Sequence, residues 1–261
     1  MTDKEEAASE NYAEQSRQLE QLLLQRQKWL GDASHELRGP LNAAAMSLNV
    51  VTRRDDLPDG VHATLRNAER HLLHMSDLVR DMFDTAKLEN DAFELATTPD
   101  VPVHEIVEEI VEEFAANPDV LSLRSIPDRT ITATLDRDRI RQVVRNVVSN
   151  AAKYRQVGKQ ATIAVLLHRI DDAYFEIVVD DTPNGLGMTK SDLEALESGQ
   201  PFWRAEAAKT AASGTGLGIQ LSRKLVQRSG GQLRYDSEFG SGTVATIRLP
   251  YNLQPDTDAI P

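Results

Sequence analysis

The order of patterns along the chain predicts an α+β fold, with a helical hairpin in the first third and a mixed helix-and-strand domain in the rest. Three observations carry this. Leu23, Leu30 and Leu37 recur every seven residues, the repeat of a long helix with one apolar seam. Leu65, Ala68, Leu72, Met75, Val79, Met82 and Ala86 then alternate three and four apart, a second helical stripe. After Pro102 the period changes: alternating stretches such as Phe175, Ile177 and Val179 interleave with helical ones.

Residues 1–15 are charged and small and read as a flexible N-terminus. From Gln18 to about Arg54 the pattern is one long helix. Pro40 should bend it, because proline removes a backbone donor and clashes with the preceding turn. Leu41 and Leu48 resume the seven-residue spacing out of phase with the earlier leucines. Asp55–Gly60 is a turn by composition, and the second helix follows. One hairpin cannot bury both narrow stripes, whereas two hairpins across a two-fold axis can, as a dimeric four-helix bundle. The alternative is a monomeric hairpin packed on the rest of the chain.

Thr97–Pro102 has the composition of a linker, which divides the chain into a hairpin over 16–97, a second domain over 101–250 and a tail over 251–261. Val103–Ala116 reads as a helix with Ile106, Ile110 and Phe114 inward and its glutamates in water. Ile131–Leu135 reads as a strand, Arg137–Tyr154 as a helix, and Thr162–Ile170 and Tyr174–Asp181 as strands joined at Asp171-Asp172. Thr189–Ser213 is polar and alanine-rich, with few core residues, and reads as a mobile lid anchored by Phe202 and Trp203. Ser222–Arg228 continues a helix, and Gln232–Ser237 with Thr243–Leu249 forms a last hairpin around Gly240-Ser241-Gly242.

Composition narrows the partners. The 261 residues carry a net charge of −12, which excludes nucleic acid and disfavours anionic membranes as partners. No cysteine is present, so disulfides and thiolate metal sites are excluded and a reducing cytoplasm is permitted. No apolar run approaches the roughly 20 residues that span a bilayer. The expectation is a cytoplasmic protein whose sensing is done by a partner or by a sensor domain missing from this chain.

Several residues suggest chemistry. His35 lies off the leucine seam, where a neutral imidazole can act as a nucleophile, and Glu36 beside it can orient its proton. Taken alone, His35 also reads as a surface histidine on a polar helix face. Asn146 and Asn150 project from one helix face with Lys153 at its edge, offering hard amide oxygens and a point charge. Strand parity places Asp181 on the inward face and Asp180 on the outward one. Gly185 and Gly187, then Gly214, Gly216 and Gly218, permit close backbone approach, the last group ahead of a helix whose N-terminal amides suit a phosphate.

In order and spacing, Ser34–Asn42, Arg145–Arg155, Asp181–Met188 and Ser213–Ile219 resemble the H, N, G1 and G2 boxes of the sensor histidine kinases. Phe202-Trp203-Arg204 resembles a reduced F box. The resemblance runs from about Leu19 to Pro250. It implies a HisKA-type dimerisation and phosphotransfer hairpin followed by a GHKL-type (Bergerat) α/β sandwich that binds ATP and Mg²⁺. It also implies a homodimer that autophosphorylates His35 and passes the phosphoryl group to an aspartate of a separate response regulator.

By this resemblance Asn150 holds Mg²⁺ with Asn146 in support, and Lys153 meets the phosphates. Tyr154 and Arg155 flank the nucleotide, and Asp181 accepts from the adenine amino group. Gly185, Gly187, Gly214, Thr215, Gly216, Leu217 and Gly218 shape the pocket, and Arg204 reaches the γ-phosphate. The chain departs from the pattern at Gly39, which cannot orient a water for dephosphorylation, at the extra Pro183 and Asn184, and at Gly199 in the lid. The competing expectation is a degenerate kinase acting as a dimeric scaffold.

Overall fold

A computed structural model describes residues 37, 39–52, 58–88, 94–115, 117, 120–198, 203, 205 and 216–252. His35, Glu36, Phe202, Arg204, Gly214 and Thr215 lie outside the described residues. The chain divides into two compact units, residues 1–93 and 94–261.

In the first unit helical backbone runs over 39–52 (α1) and Asp59–Leu88 (α2). Ser76 Oγ donates to Asn42 Oδ1 at 3.2 Å and ties the two helices together. Burial is modest: Ala45, Ser76, Phe83 and Asp84 are covered. The predicted stripe of α2 is helical, and its Leu65, Ala68, Leu72 and Val79 are half-buried. Ser76 and Phe83 are buried, while their neighbours Met75 and Met82 remain exposed, as do Met46 and Val50 on α1. The bend expected at Pro40 falls where residues 31–36 and 38 are outside the described residues.

The second unit is a two-layer α/β arrangement. Strands β2 (Val120–Pro127), β4 (Ala161–Arg169), β5 (Tyr174–Asp180), β6 (Gln232–Glu238) and β7 (Gly242–Pro250) form one mixed sheet. The strand order is β2-β4-β5-β7-β6, with β2 parallel to β4 and the other pairs antiparallel. Helices α3 (Val103–Ala115), α4 (Arg137–Lys153) and α6 (Leu217–Arg228) pack against it: α3 on β2 and β4, α4 on β4 and β5, α6 on β6 and β7. Ala161, Ile163, Val165 and Leu167 of β4, and Phe175, Ile177 and Val179 of β5, alternate with half-exposed residues, so one sheet face is buried. Ile106 and Ile110 of α3, Ile140, Val144 and Val148 of α4, and Leu221 and Leu225 of α6 cover that face. Burying each such side chain stabilises the fold by about 1.5–3 kcal/mol. That gain overrides the weak helix preference of the valines in α4.

The helical layer is also laced by charge. Arg137 pairs with Glu109, Arg141 with Glu113 at 3.1 Å, and Arg145 with Glu113 at 2.6 Å, linking α4 to α3. Asp136 caps α4, accepting from Arg139 N at 3.1 Å, and its other oxygen accepts from Ala96 N at 2.9 Å.

Three segments differ from expectation. Residues 98–102, read above as linker, form strand β1 (Thr98–Pro102), paired antiparallel with β3 (Thr132–Leu135) across a bulge. A two-stranded ribbon has only edges, so Pro99 and Pro102 are tolerated there. Strand β2 had no counterpart in the pattern. It is an edge strand that leaves Ile126 exposed, and its alternation is broken. The start of the expected lid is the helix α5 (Lys190–Glu197), closed by a capping box between Thr189 and Asp192 and anchored by the buried Leu196. In the lid's later part, Ala205 is buried and Trp203 half-buried. Among the described residues, no helix is long and apolar enough to cross a membrane.

Candidate functional site

Helix α4 gathers the site. Its core-facing valines fix its rotation, and that rotation leaves Asn146 and Asn150 half-buried on a flank, one turn apart. Asn146 Nδ2 donates to Ser222 Oγ of α6 at 2.9 Å, which orients the amide. A Cβ at Gly218 would overlap the Asn146 side chain, so glycine is what lets α6 approach α4 here. Gly216, at φ 75°, starts α6 in a left-handed conformation, and Leu217 beside it is buried. The described part of the second glycine motif, from Gly216 onward, is therefore docked on the asparagine helix by direct contact.

Asp181 follows β5 and continues its inward parity, buried to 6% exposure. Its backbone N–H donates to Thr243 O at 3.1 Å, and its Oδ1 accepts from Thr243 N at 2.5 Å. A Cβ at Gly185 would overlap its carboxylate, so the turn folds over the acid only because residue 185 has no side chain. Burial pushes the Asp181 carboxyl up to about 7. The Thr243 N–H pulls the other way, and the charge of Asp180 adds to the rise. A half-protonated carboxyl with one oxygen already engaged is suited to accept a donor from a ligand as it ionises. Asp180 is half-exposed, and its carboxylate accepts from Thr182 N at 2.8 Å in the turn.

The two glycine turns and the end of α4 are joined. Tyr154 caps α4, its N–H donating to Asn150 O, and its own carbonyl accepts from Leu186 N at 2.8 Å. Lys153 Nζ lies 5.3 Å from the Tyr154 ring centroid. Arg155 pairs with Gly185 as an isolated bridge, and its guanidinium reaches Ala152 O and Lys159 O, each at 3.1 Å. Gly187, at φ 67°, lies against Glu238 O at the end of β6. Of the residues singled out from sequence, the structure thus brings together Asn146, Asn150, Lys153, Tyr154, Arg155, Asp181, Gly185, Gly187, Gly216, Leu217 and Gly218 around the C-terminal half of α4.

Four residues of this arrangement were not singled out. Ser222 orients Asn146, and Thr243 binds Asp181. Ser237 Oγ accepts from Met188 N at 2.8 Å, donates to Gly242 O at 2.9 Å and lies 2.8 Å from Thr243 Oγ1. Gln156 bonds to both turns. Only Thr243 leaves a local trace in the sequence, as the first residue after Gly240-Ser241-Gly242.

The donor set fits Mg²⁺ of the kind that arrives with a nucleotide. Among the described residues no cluster of three His, Cys, Asp or Glu side chains could hold a metal ion. An amide oxygen such as that of Asn150, completed by phosphate oxygens and water, satisfies an ion that keeps much of its hydration.

Comparison with known proteins gives two family matches. Residues 25–91 match the His Kinase A (phospho-acceptor) domain. Residues 135–253 match the histidine kinase-, DNA gyrase B-, and HSP90-like ATPase family. The chain is 34% identical over 247 residues to the histidine protein kinase DivJ of Caulobacter vibrioides, covering 93% of this chain and 40% of that protein. It is 28% identical over 242 residues to the sensor histidine kinase WalK of Bacillus subtilis, covering 90% of this chain and 38% of that protein. The chain thus spans about two fifths of the length of these curated relatives. Full-length ShkA in complex with AMPPNP shares the fold, with a TM-score of 0.65 at 23% identity, over 87% of this chain and 46% of that one. The Acinetobacter baumannii histidine kinase AdeS shares it with a TM-score of 0.55 at 21% identity, over 83% of this chain and 98% of that one.

Proposed function

The chain belongs to the sensor histidine kinases and carries both the phospho-acceptor and the ATPase domain of their catalytic core, and from that premise we propose that it uses ATP to phosphorylate its own His35. The observation that carries this reading is the convergence on α4. Asn146 is pinned to α6 through Ser222 and Gly218, while Tyr154 and Arg155 are stitched to the turn that covers Asp181.

In the proposed reaction the Asp181 carboxylate accepts a hydrogen bond from the adenine amino group, and Thr243 holds that carboxylate in place. Lys153 and the amides that open α6 meet the phosphates. Asn150 would hold Mg²⁺, with Asn146 in support; when bound, the ion offsets negative charge on the phosphates. Arg204 adds a cation at the γ-phosphate. Glu36 holds one imidazole N–H of His35, leaving the other nitrogen free to attack the γ-phosphorus. A nitrogen–phosphorus bond forms as the bond to the bridging oxygen breaks, and ADP leaves. The phosphoryl group then passes to an aspartate of a separate response regulator.

The apolar residues left open on the hairpin support assembly of two copies through it. The signal comes from a sensory partner or from a domain outside this chain. Because the reaction draws on ATP, we assign it to the cytoplasm.

Incubation with γ-labelled ATP tests the proposal. The expected result is an acid-labile, alkali-stable label on the chain that is absent from His35→Gln. Tight ATP binding with no label would overturn it in favour of a nucleotide-binding scaffold.

A further inference from the structure

Gln156 stands just beyond α4, and its side-chain nitrogen faces three backbone carbonyls: Pro183 at 2.7 Å, Gly240 at 2.9 Å and Gly185 at 3.2 Å. All three partners are acceptors, so only the NH₂ end of the amide can face them. The backbone N–H of Gln156 also donates to Asn184 O at 2.9 Å. Asn184 is gripped from a third direction, its Nδ2 donating to Gln160 O and Thr162 Oγ1, each at 3.2 Å. Gly240 N donates to Leu186 O at 2.8 Å.

The turn after Asp181, which carries Pro183 and Asn184, is therefore fastened both to the loop after α4 and to the β6–β7 turn. Each fastened segment forms one wall around the same carboxylate. Gly185 lies directly against Asp181, and the chain from Gly240 leads in three residues to Thr243, whose N–H binds it.

We propose that Gln156 is a positioning residue for the carboxylate that reads adenine. Its one side chain spans the Gly185 wall and the Gly240 wall and holds them at a fixed separation, and Pro183 supplies part of what it grips. This rests on the reading of Asp181 as the adenine acceptor. Without its two N–H donors the three carbonyls lose this shared contact and the walls are free to part. The loss falls on the base and spares the phosphates, which are met at α4 and α6.

The test uses the full chain and calorimetric titration of three probes: a non-hydrolysable ATP analogue, adenosine and inorganic triphosphate. Gln156→Met keeps the shape without the donors. It should weaken the analogue and adenosine by about five- to twentyfold and leave triphosphate within about twofold. Gln156→Lys restores N–H donors and should recover most of the loss. In autophosphorylation by Gln156→Met, the KM for ATP rises while kcat stays within about twofold of wild type.

Unchanged adenosine affinity in Gln156→Met overturns the proposal, and so does an equal loss of adenosine and triphosphate. If Gln156→Met does not fold, Gln156→Glu decides, since it sets acceptors against the three carbonyls: a loss confined to adenosine supports the brace, and no loss overturns it. Asp181→Asn separates the underlying reading. Wild-type adenosine affinity there defeats the role of Asp181 itself, whereas loss there without loss in Gln156→Met defeats only the brace.

Discussion

In the second unit Ile106, Ile110, Ile140, Phe175 and Leu225 are fully buried between helices and sheet. In the first, Met46, Val50, Met75 and Met82 stay open while only Ala45, Ser76, Phe83 and Asp84 are covered among the described residues. The ATP-binding unit thus completes its own core, and the described part of the phospho-acceptor hairpin leaves apolar side chains open, which the proposed dimer would cover. The difference follows from what each unit must do. A pocket that reads a base needs walls held to within fractions of an ångström, which a close-packed core supplies. A hairpin with a narrow stripe buries too little to stand alone. If this division holds, changes in one unit should leave the property of the other untouched.

The sharpest separation is His35→Gln. Label transfer should disappear entirely, while affinity for a non-hydrolysable ATP analogue stays within about twofold, since the change lies outside the pocket. Radiolabelling paired with calorimetry reads both, and a large loss of affinity would break the division.

Next in size is Asp181→Asn, expected to weaken ATP by about a hundredfold, near 2.7 kcal/mol. Its pH dependence sharpens the point. In the folded chain without nucleotide the Asp181 carboxyl is raised to about 7 from 3.8. The folded state therefore holds the proton more tightly than the unfolded one. Its contribution to stability is fully present below about pH 4 and is lost as pH rises through about 7. If, as proposed, ATP engages the ionised form, its affinity should climb between about pH 5.5 and 8. That climb should flatten in Asp181→Asn, which titration calorimetry over this range would reveal.

A contrast in packing comes third. Ile110→Ala should cost the second unit about 2–5 kcal/mol in urea unfolding, the usual penalty for emptying a filled core. The double change Met75→Asp with Met82→Asp should instead shift sedimentation from dimer to monomer with ATP affinity unchanged. A dimer that persists would show that this face is not the interface. The smallest effect belongs to Glu113→Ala. It removes one carboxylate shared by Arg141 and Arg145 at a partly exposed site, and the change in unfolding free energy should be below about 1 kcal/mol and vanish in high salt.

Much of the fold and of the candidate site is legible in the sequence, and the legible parts share a cause. The stripes of α2 and α4, the alternation in β4 and β5 and the inward turn of Asp181 are consequences of fixed backbone periods. Three elements are not legible in this way. Strand β1 carries prolines that read as linker, β2 is an edge strand with broken alternation, and α5 has only one buried residue and announces itself by a capping box. On α2 the period is as expected, but within the stripe Leu65, Ala68, Leu72 and Val79 are half-buried while Met75 and Met82 are exposed. Which flank of a helix is covered depends on what lies across from it.

The chain's own order of residues determined the two-part architecture, the asparagine helix, the inward acid and the glycine turns, because each is a local statement about period, parity or the absence of a Cβ. Tertiary structure alone decided that Ser222 orients Asn146, that Thr243 binds Asp181 and that Gln156 bridges residues 183–185 to residue 240. Those contacts join positions between 27 and 84 residues apart. Only loop closure and packing bring such positions within the few ångströms over which a hydrogen bond acts.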